Sequence, residues 1–243
     1  MSEPKHDGIV ILGHPRSGTT LLRRVIDRHS RIACPGETHV LSAGASFIRS
    51  QPTADGVDMG VLAGLSFAGF EDEDVLSRVR ELVFSFPRDY AARKGKRRWA
   101  EKTAFDAFAI PEIDLLCGDD AYFVGIVRHG LDVAASCVDF VEAAGTFPTS
   151  MHPYIQRYPM PLEAFAHSWV EVNAALLEFA TRHPDNCVLC RYEDLIEEPA
   201  EALGAVLDFV GESFEPAMIE QDFRSVDQTG FGDHKSYQQA GIT

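Results

Sequence analysis

Apolar residues along this chain fall into two rhythms. Three uninterrupted runs, Gly8-Ile9-Val10-Ile11-Leu12, Ala121-Tyr122-Phe123-Val124-Gly125-Ile126-Val127 and Asn186-Cys187-Val188-Leu189, have the length and β-branched content of strands buried on both faces. The segments between them are longer and alternate apolar with polar positions at helical spacing. The reading is strands over about 8–12, 97–102, 121–127 and 186–190, with helices over about 19–29, 104–116, 130–142, 162–183 and 199–210. Strands alternating with helices predict an α/β fold, a parallel sheet flanked by helices, with any ligand at the carboxyl ends of the strands. No repeat or low-complexity segment interrupts the pattern, so residues 1–243 read as one domain. Two stretches are less regular: 41–69, rich in Gly, Ser and Ala, and 143–160, which carries Phe147, Met151, Tyr154, Tyr158 and several prolines. Each is compatible with a lid that receives an acceptor or with an insertion that only fills the surface.

The first strand runs into Gly13-His14-Pro15-Arg16-Ser17-Gly18-Thr19-Thr20 and then into a helix. A glycine loop between strand and helix lets backbone N–H groups converge on an anion, and the helix dipole adds attraction. The spacing matches the nucleotide-triphosphate loop G-x-x-x-x-G-K-[ST], except that Thr19 replaces the lysine that reaches a γ-phosphate. The cation sits inside the loop instead, as Arg16, with Ser17, Gly18, Thr19 and Thr20 around the anion site. A second strand end carries Arg128, and Ser136 follows eight positions later on the next helix. That pair offers a charged fork and a hydroxyl to a second phosphate.

Together these segments resemble the sulfotransferases that use 3'-phosphoadenosine 5'-phosphosulfate (PAPS) as sulfuryl donor. Pro15-Arg16-Ser17-Gly18-Thr19-Thr20 looks like their 5'-phosphosulfate loop, and Arg128 with Ser136 like their 3'-phosphate signature. Tyr192-Glu193-Asp194-Leu195 with Pro199 is similar to their Y-E-D-L-x-x-x-P stretch, which implies that Tyr192 touches the adenine. The local alternative there is a strand end followed by a helix capped by Asp194. Trp99-Ala100-Glu101-Lys102-Thr103 is a weaker match that would bring Lys102 beside the sulfuryl group; a strand-end lysine in solvent fits equally well. Near the end, Gly230-Phe231-Gly232-Asp233-His234-Lys235 is similar to a late G-D-x-K element, making Lys235 a candidate donor contact. The resemblance implies a P-loop-like fold and PAPS as the cofactor, with no metal.

The base is not where the phenol and steroid enzymes of that family keep it. Their K-T-H becomes Lys102-Thr103-Ala104, and alanine accepts no proton. Tyrosylprotein sulfotransferases place a glutamate in a G-E-E-T-R turn, and Gly36-Glu37-Thr38 occupies the corresponding place, twenty-one positions after Arg16. Glu37 is therefore the first candidate for the base and His39 its rival, since imidazole titrates near neutrality unaided. Arg16 and Lys102 complete the catalytic set.

Charge narrows the acceptor. With a formal net charge of −15, the chain repels nucleic acid and polyanionic sugars, which leaves a small alcohol or phenol as the expected acceptor. A homodimer is left open. No apolar run is long enough to span a membrane and the first residues lack a signal peptide's apolar stretch, so a cytoplasmic protein is expected. Five scattered cysteines without framework spacing read as reduced thiols. The rival readings are a small-molecule kinase, a protein-tyrosine sulfotransferase and a non-catalytic nucleotide-binding protein.

Overall fold

The computed structural model describes residues 4–52 and 56–220. Its strands are β1 (Gly8–Leu12), β2 (Ile32–Ala33), β3 (Gln51–Pro52), β4 (Asp58–Met59), β5 (Arg98–Glu101), β6 (Tyr122–Val127) and β7 (Cys187–Arg191). Five of them form one parallel sheet in the order β2-β5-β1-β6-β7, and β3 and β4 pair as a separate antiparallel hairpin. The helices are α1 (Thr19–Ile26), α2 (Val40–Ile48), α3 (Val61–Ser66), α4 (Asp72–Arg93), α5 (Ile110–Cys117), α6 (Gly130–Ala144), α7 (His152–Arg157), α8 (Pro161–Arg182), α9 (Tyr192–Glu197), α10 (Pro199–Phe209) and α11 (Ala217–Glu220).

Alternation along the strands divides the core into two layers. Val10, Leu12, Trp99, Phe123 and Cys187 face α2, α4, α5 and α8, whereas Ile9, Ile11, Ala100, Val124, Ile126 and Cys190 face α1, α9 and α10. Both faces are thus covered, which explains why the strand sequences read as unbroken apolar runs. Each fully buried side chain of this size contributes roughly 1.5–3 kcal/mol through removal from water. Leaving β1 the chain moves toward β2, and leaving β6 it moves the opposite way to β7. The crevice at the carboxyl ends of these two neighbours is the topological switch point, where ligands bind in open α/β sheets.

The structure corrects the sequence reading in several places. Residues 72–93, assigned no element, form the 22-residue helix α4. Asp72, Glu73 and Asp74 complement the positive end of the dipole in its first turn, and Val75, Leu76, Val79, Val83, Phe84, Pro87 and Ala91 form its buried side. Pro87 forfeits one helical hydrogen bond, yet the helix continues because its buried face packs across that position. The expected helix 104–116 is a short 3₁₀ segment, Ala104–Phe108, followed by α5. The irregular stretch 41–69 contains α2, α3 and the hairpin, and 143–160 contains α7. Asp194 caps nothing: it lies in the first turn of α9, bonded by Arg191 Nη1 at 3.2 Å.

Candidate active site

At the carboxyl ends of β1 and β6 a cavity of about 450 Å³ is lined by Arg16, Gly18, Thr19, Thr20, Glu37, Arg128, Ser136 and Tyr192, among others. Close packing shapes its floor. A Cβ on Gly13 would lie 2.7 Å from the Ile126 side chain and carbonyl, and one on Gly18 would lie 2.3 Å from the Tyr192 ring. Gly18 also holds φ 96°, a left-handed backbone natural only to glycine, and caps α1 with no side-chain hydrogen bond. The first N–H groups of that helix are thereby left to an anion. Arg16 takes φ 73°, a left-handed conformation that costs a non-glycine residue about 1 kcal/mol or more. The turn is closed by Ser17 N–H donating to the His14 carbonyl at 3.0 Å.

Two clusters converge on this loop. In the first, Arg16 Nε donates to Ser136 Oγ at 3.0 Å, and Arg128 Nη1 donates to the Arg16 carbonyl at 3.2 Å. The Arg128 guanidinium lies 4.4 Å from the centroid of Tyr192, and its Nε is buried with no hydrogen-bond partner among the described residues. In the second, Lys102 Nζ donates to Glu37 Oε1 at 2.5 Å and to Thr20 Oγ1 at 3.3 Å. The Lys102 side chain is 1 % exposed and that of Glu37 7 %, so this ion pair is shielded from water and salt. Glu37 engages only one carboxylate oxygen; Oε2 takes no hydrogen bond from the described residues, and the side chain borders the cavity.

Buried groups behind these clusters had escaped the sequence reading. Glu101, 2 % exposed, accepts from the Thr38 hydroxyl at 2.7 Å and the Thr103 hydroxyl at 3.1 Å, which fixes the turn that carries Glu37. Burial pushes its carboxyl up to about 7, against those hydrogen bonds and the Lys102 charge, which favour the ionised form. Asp106, bonded by the Ser42 hydroxyl, is raised well above the carboxylate range by complete burial. His14 lines the cavity and ties the loop to α8 through Ser168 Oγ at 2.9 Å; burial lowers its pKa to about 4, so it is neutral at physiological pH. The acidic residue inside the apolar run before Lys102 was the available signal for Glu101.

The raised Glu101 pKa has a stability consequence. An unfolded chain ionises this carboxyl near 4.5 and the folded one near 7, so folded stability falls as pH rises through that interval. The loss is about 3 kcal/mol for this group alone. Glu101→Gln should therefore lose less stability between pH 5 and pH 8 than the parent in denaturant titrations. Parallel pH slopes for the two proteins would assign the proton uptake to another group, with Asp106 the first alternative.

The cavity thus brings together Arg16, Gly18, Thr19, Thr20, Glu37, Arg128, Ser136 and Tyr192. Ser17 is buried, its Oγ without a hydrogen-bond partner among the described residues, and Lys102 is paired with Glu37. His39 is not brought to this cavity: it is exposed, takes φ 59° at the start of α2 and borders a different cleft, because the turn after Glu37 directs the chain away from the loop. Lys235 lies outside the described residues. Among the described residues, no group of three or more His, Cys, Asp or Glu side chains could hold a metal, and no helix is long and apolar enough to cross a membrane. The five cysteines are free and buried, with Cys187 and Cys190 on opposite sides of the sheet.

Residues 8–216 match the sequence profile of the sulfotransferase family. The chain belongs to that family. Among relatives of this sulfotransferase, a Caenorhabditis briggsae protein assigned as a protein-tyrosine sulfotransferase is 24% identical over 213 residues, 87% of this chain and 68% of its own length. Nodulation protein NoeE of Sinorhizobium fredii is 29% identical over 240 residues, 93% of this chain and 55% of its own length. Solved structures share the fold. The sulfotransferase domain of the Synechococcus PCC 7002 olefin synthase superposes with a TM-score of 0.63 at 22% identity, covering 100% of this chain and 87% of that one. The sulfotransferase domain from the curacin biosynthetic pathway gives 0.61 at 20% identity, covering 98% and 84%. The parallel sheet flanked by helices is thus the P-loop-like fold of the sulfotransferases.

Proposed function

We propose that this sulfotransferase moves a sulfuryl group from PAPS to the hydroxyl of a small alcohol or phenol. The observation that carries the reading is the placement of the buried Lys102–Glu37 pair across Thr20 from the glycine loop, on a cavity that Arg128 also borders. The cavity fits such a donor: the loop offers uncapped N–H groups, Ser17 Oγ and Arg128 Nε are buried with no partner among the described residues, and Tyr192 presents a ring beside Arg128. Arg16, Thr19 and Thr20 would hold the 5'-phosphosulfate, Arg128 and Ser136 the 3'-phosphate, and Tyr192 the base.

The donor supplies the sulfuryl group, whose bond to the phosphate oxygen breaks as the acceptor oxygen bonds to sulfur and adenosine 3',5'-bisphosphate leaves. Glu37 Oε2 takes the acceptor's proton. Lys102 holds Glu37 through Oε1 and, with Arg16, stabilises negative charge that builds on the sulfuryl and leaving oxygens. Desolvation makes these fixed charges effective, because no water has to reorganise around them.

An acceptor screen with radiolabelled PAPS tests donor and acceptor together; retention of label in the donor with every alcohol and phenol offered would refute the reading. Transfer should also persist in EDTA, because the loop lacks the lysine of the triphosphate enzymes and the charge stabilisation comes from side chains. Loss of activity in chelator, restored by magnesium, together with thermal protection by ATP rather than PAPS, would favour a kinase.

A further inference from the structure

A second cleft, of about 880 Å³, opens beside the first and shares Phe105 and Pro148 with it. Phe105 and Pro148 thus form the boundary between this cleft and the cavity that Glu37 borders. Aromatic rings lead outward from that junction: Phe105 stacks on Phe108 with centroids 6.4 Å apart and planes at 22°, and Phe108 meets Tyr154 at 6.3 Å. Such faces suit a flat or apolar body.

The charged groups along the cleft are not balanced. Arg49 is paired with Glu112 at 2.5 Å, and Glu171, the one carboxylate on the lining, accepts the Tyr154 hydroxyl at 2.7 Å. Arg157, at the end of α7, meets no carboxylate among the described residues, and its guanidinium rests 5.3 Å from the Tyr158 centroid. Of the two arginines on this lining, Arg157 is exposed and is the one that has no ion pair among the described residues. An arginine without one, beside an aromatic cleft that adjoins the catalytic cavity, is placed to receive an anion from the ligand, and its planar fork matches a carboxylate.

Resting on the sulfotransferase reading, we infer that this cleft selects acceptors with a hydroxylated aromatic or apolar body and a terminal carboxylate. The hydroxyl lies at Glu37, the body along Phe105, Phe108 and Tyr154, and the carboxylate at Arg157. This deepens the assignment of a small alcohol or phenol, and it reconciles a net-acidic protein with an anionic substrate: a single carboxylate meets a local cation, whereas a polyanion meets the whole field.

The test uses the full chain, radiolabelled PAPS and a series of 4-(carboxyalkyl)phenols of increasing chain length, each beside its methyl ester. The parent protein should show, at the best length, a KM for the acid at least tenfold below that for the ester. Arg157→Ala should bring the ratio to within twofold of one, and Arg157→Lys should retain part of it. Thermal protection of the protein loaded with adenosine 3',5'-bisphosphate should follow the same order without turnover. Transfer to both members with equal KM, or a preference for the acid that survives Arg157→Ala, would overturn the inference and leave the sulfotransferase reading standing. A tyrosine peptide used in preference to every phenol would overturn it in favour of a protein acceptor, and absence of transfer to all of these compounds counts against both.

Discussion

Glu37→Gln should lower the turnover number by about 100-fold or more while leaving affinity for adenosine 3',5'-bisphosphate nearly unchanged, the pattern of a lost general base. Glutamine keeps the size of the side chain and an oxygen for Lys102 Nζ, but it accepts no proton. The substitution also strips the charge that Lys102 meets in a nearly dry site, so some loss of stability is expected alongside. Rate and fold are separated by measuring bisphosphate protection at the same time: a variant that still binds has kept its loop. His39→Asn should be mild by comparison, because His39 faces the second cleft. A variant rate that stays within tenfold of the parent after Glu37→Gln would move the base elsewhere.

The second large effect is expected at Arg128. Arg128→Ala should weaken adenosine 3',5'-bisphosphate by roughly one to two decades, the loss of a charge-assisted pair worth about 1.5–3 kcal/mol, and adenosine monophosphate far less. The structure sharpens the comparison. Arg128 also lies over Tyr192 and bonds the Arg16 carbonyl, so part of any loss comes from loosening the base platform and the loop. That part falls on both nucleotides alike. Equal losses measured by calorimetry would make Arg128 a positioning residue; only the excess for the bisphosphate reports a 3'-phosphate contact.

Features written in contiguous residues were legible before the structure. Gly13 and Gly18 at their spacing, between a buried strand and an apolar helix, specify the loop because a side chain at either glycine would collide with Ile126 or Tyr192. Arg128 was legible for the same local reason. The Glu37–Lys102 contact was not, because it joins residues 65 positions apart and depends on β2 pairing with β5, Ala33 opposite Trp99. A two-residue strand leaves no periodicity to read. Helix α4 was obscured differently: its apolar spacing is helical, but Pro87 and the charges around it look like an interruption until the sheet supplies the surface on which Val79, Val83 and Phe84 are buried. Asp194 shows the converse, a good capping residue one turn too late to cap.

The five buried thiols have a use of their own. Burial raises Cys190 to about 11 and Cys137 and Cys187 to about 12, and drives Cys34 and Cys117 further still. An alkylating reagent therefore meets little thiolate in the closed protein and, apart from Cys137 on the cavity wall, no access. Labelling has to wait for the structure to open, so each cysteine keeps time for its own layer: Cys117 and Cys187 for one face of the sheet, Cys34 and Cys190 for the other, and Cys137 for the helix behind the cavity. Mass spectrometry of alkylated peptides would then show which layer opens first, and a ligand in the cavity should slow the clock at Cys137 most.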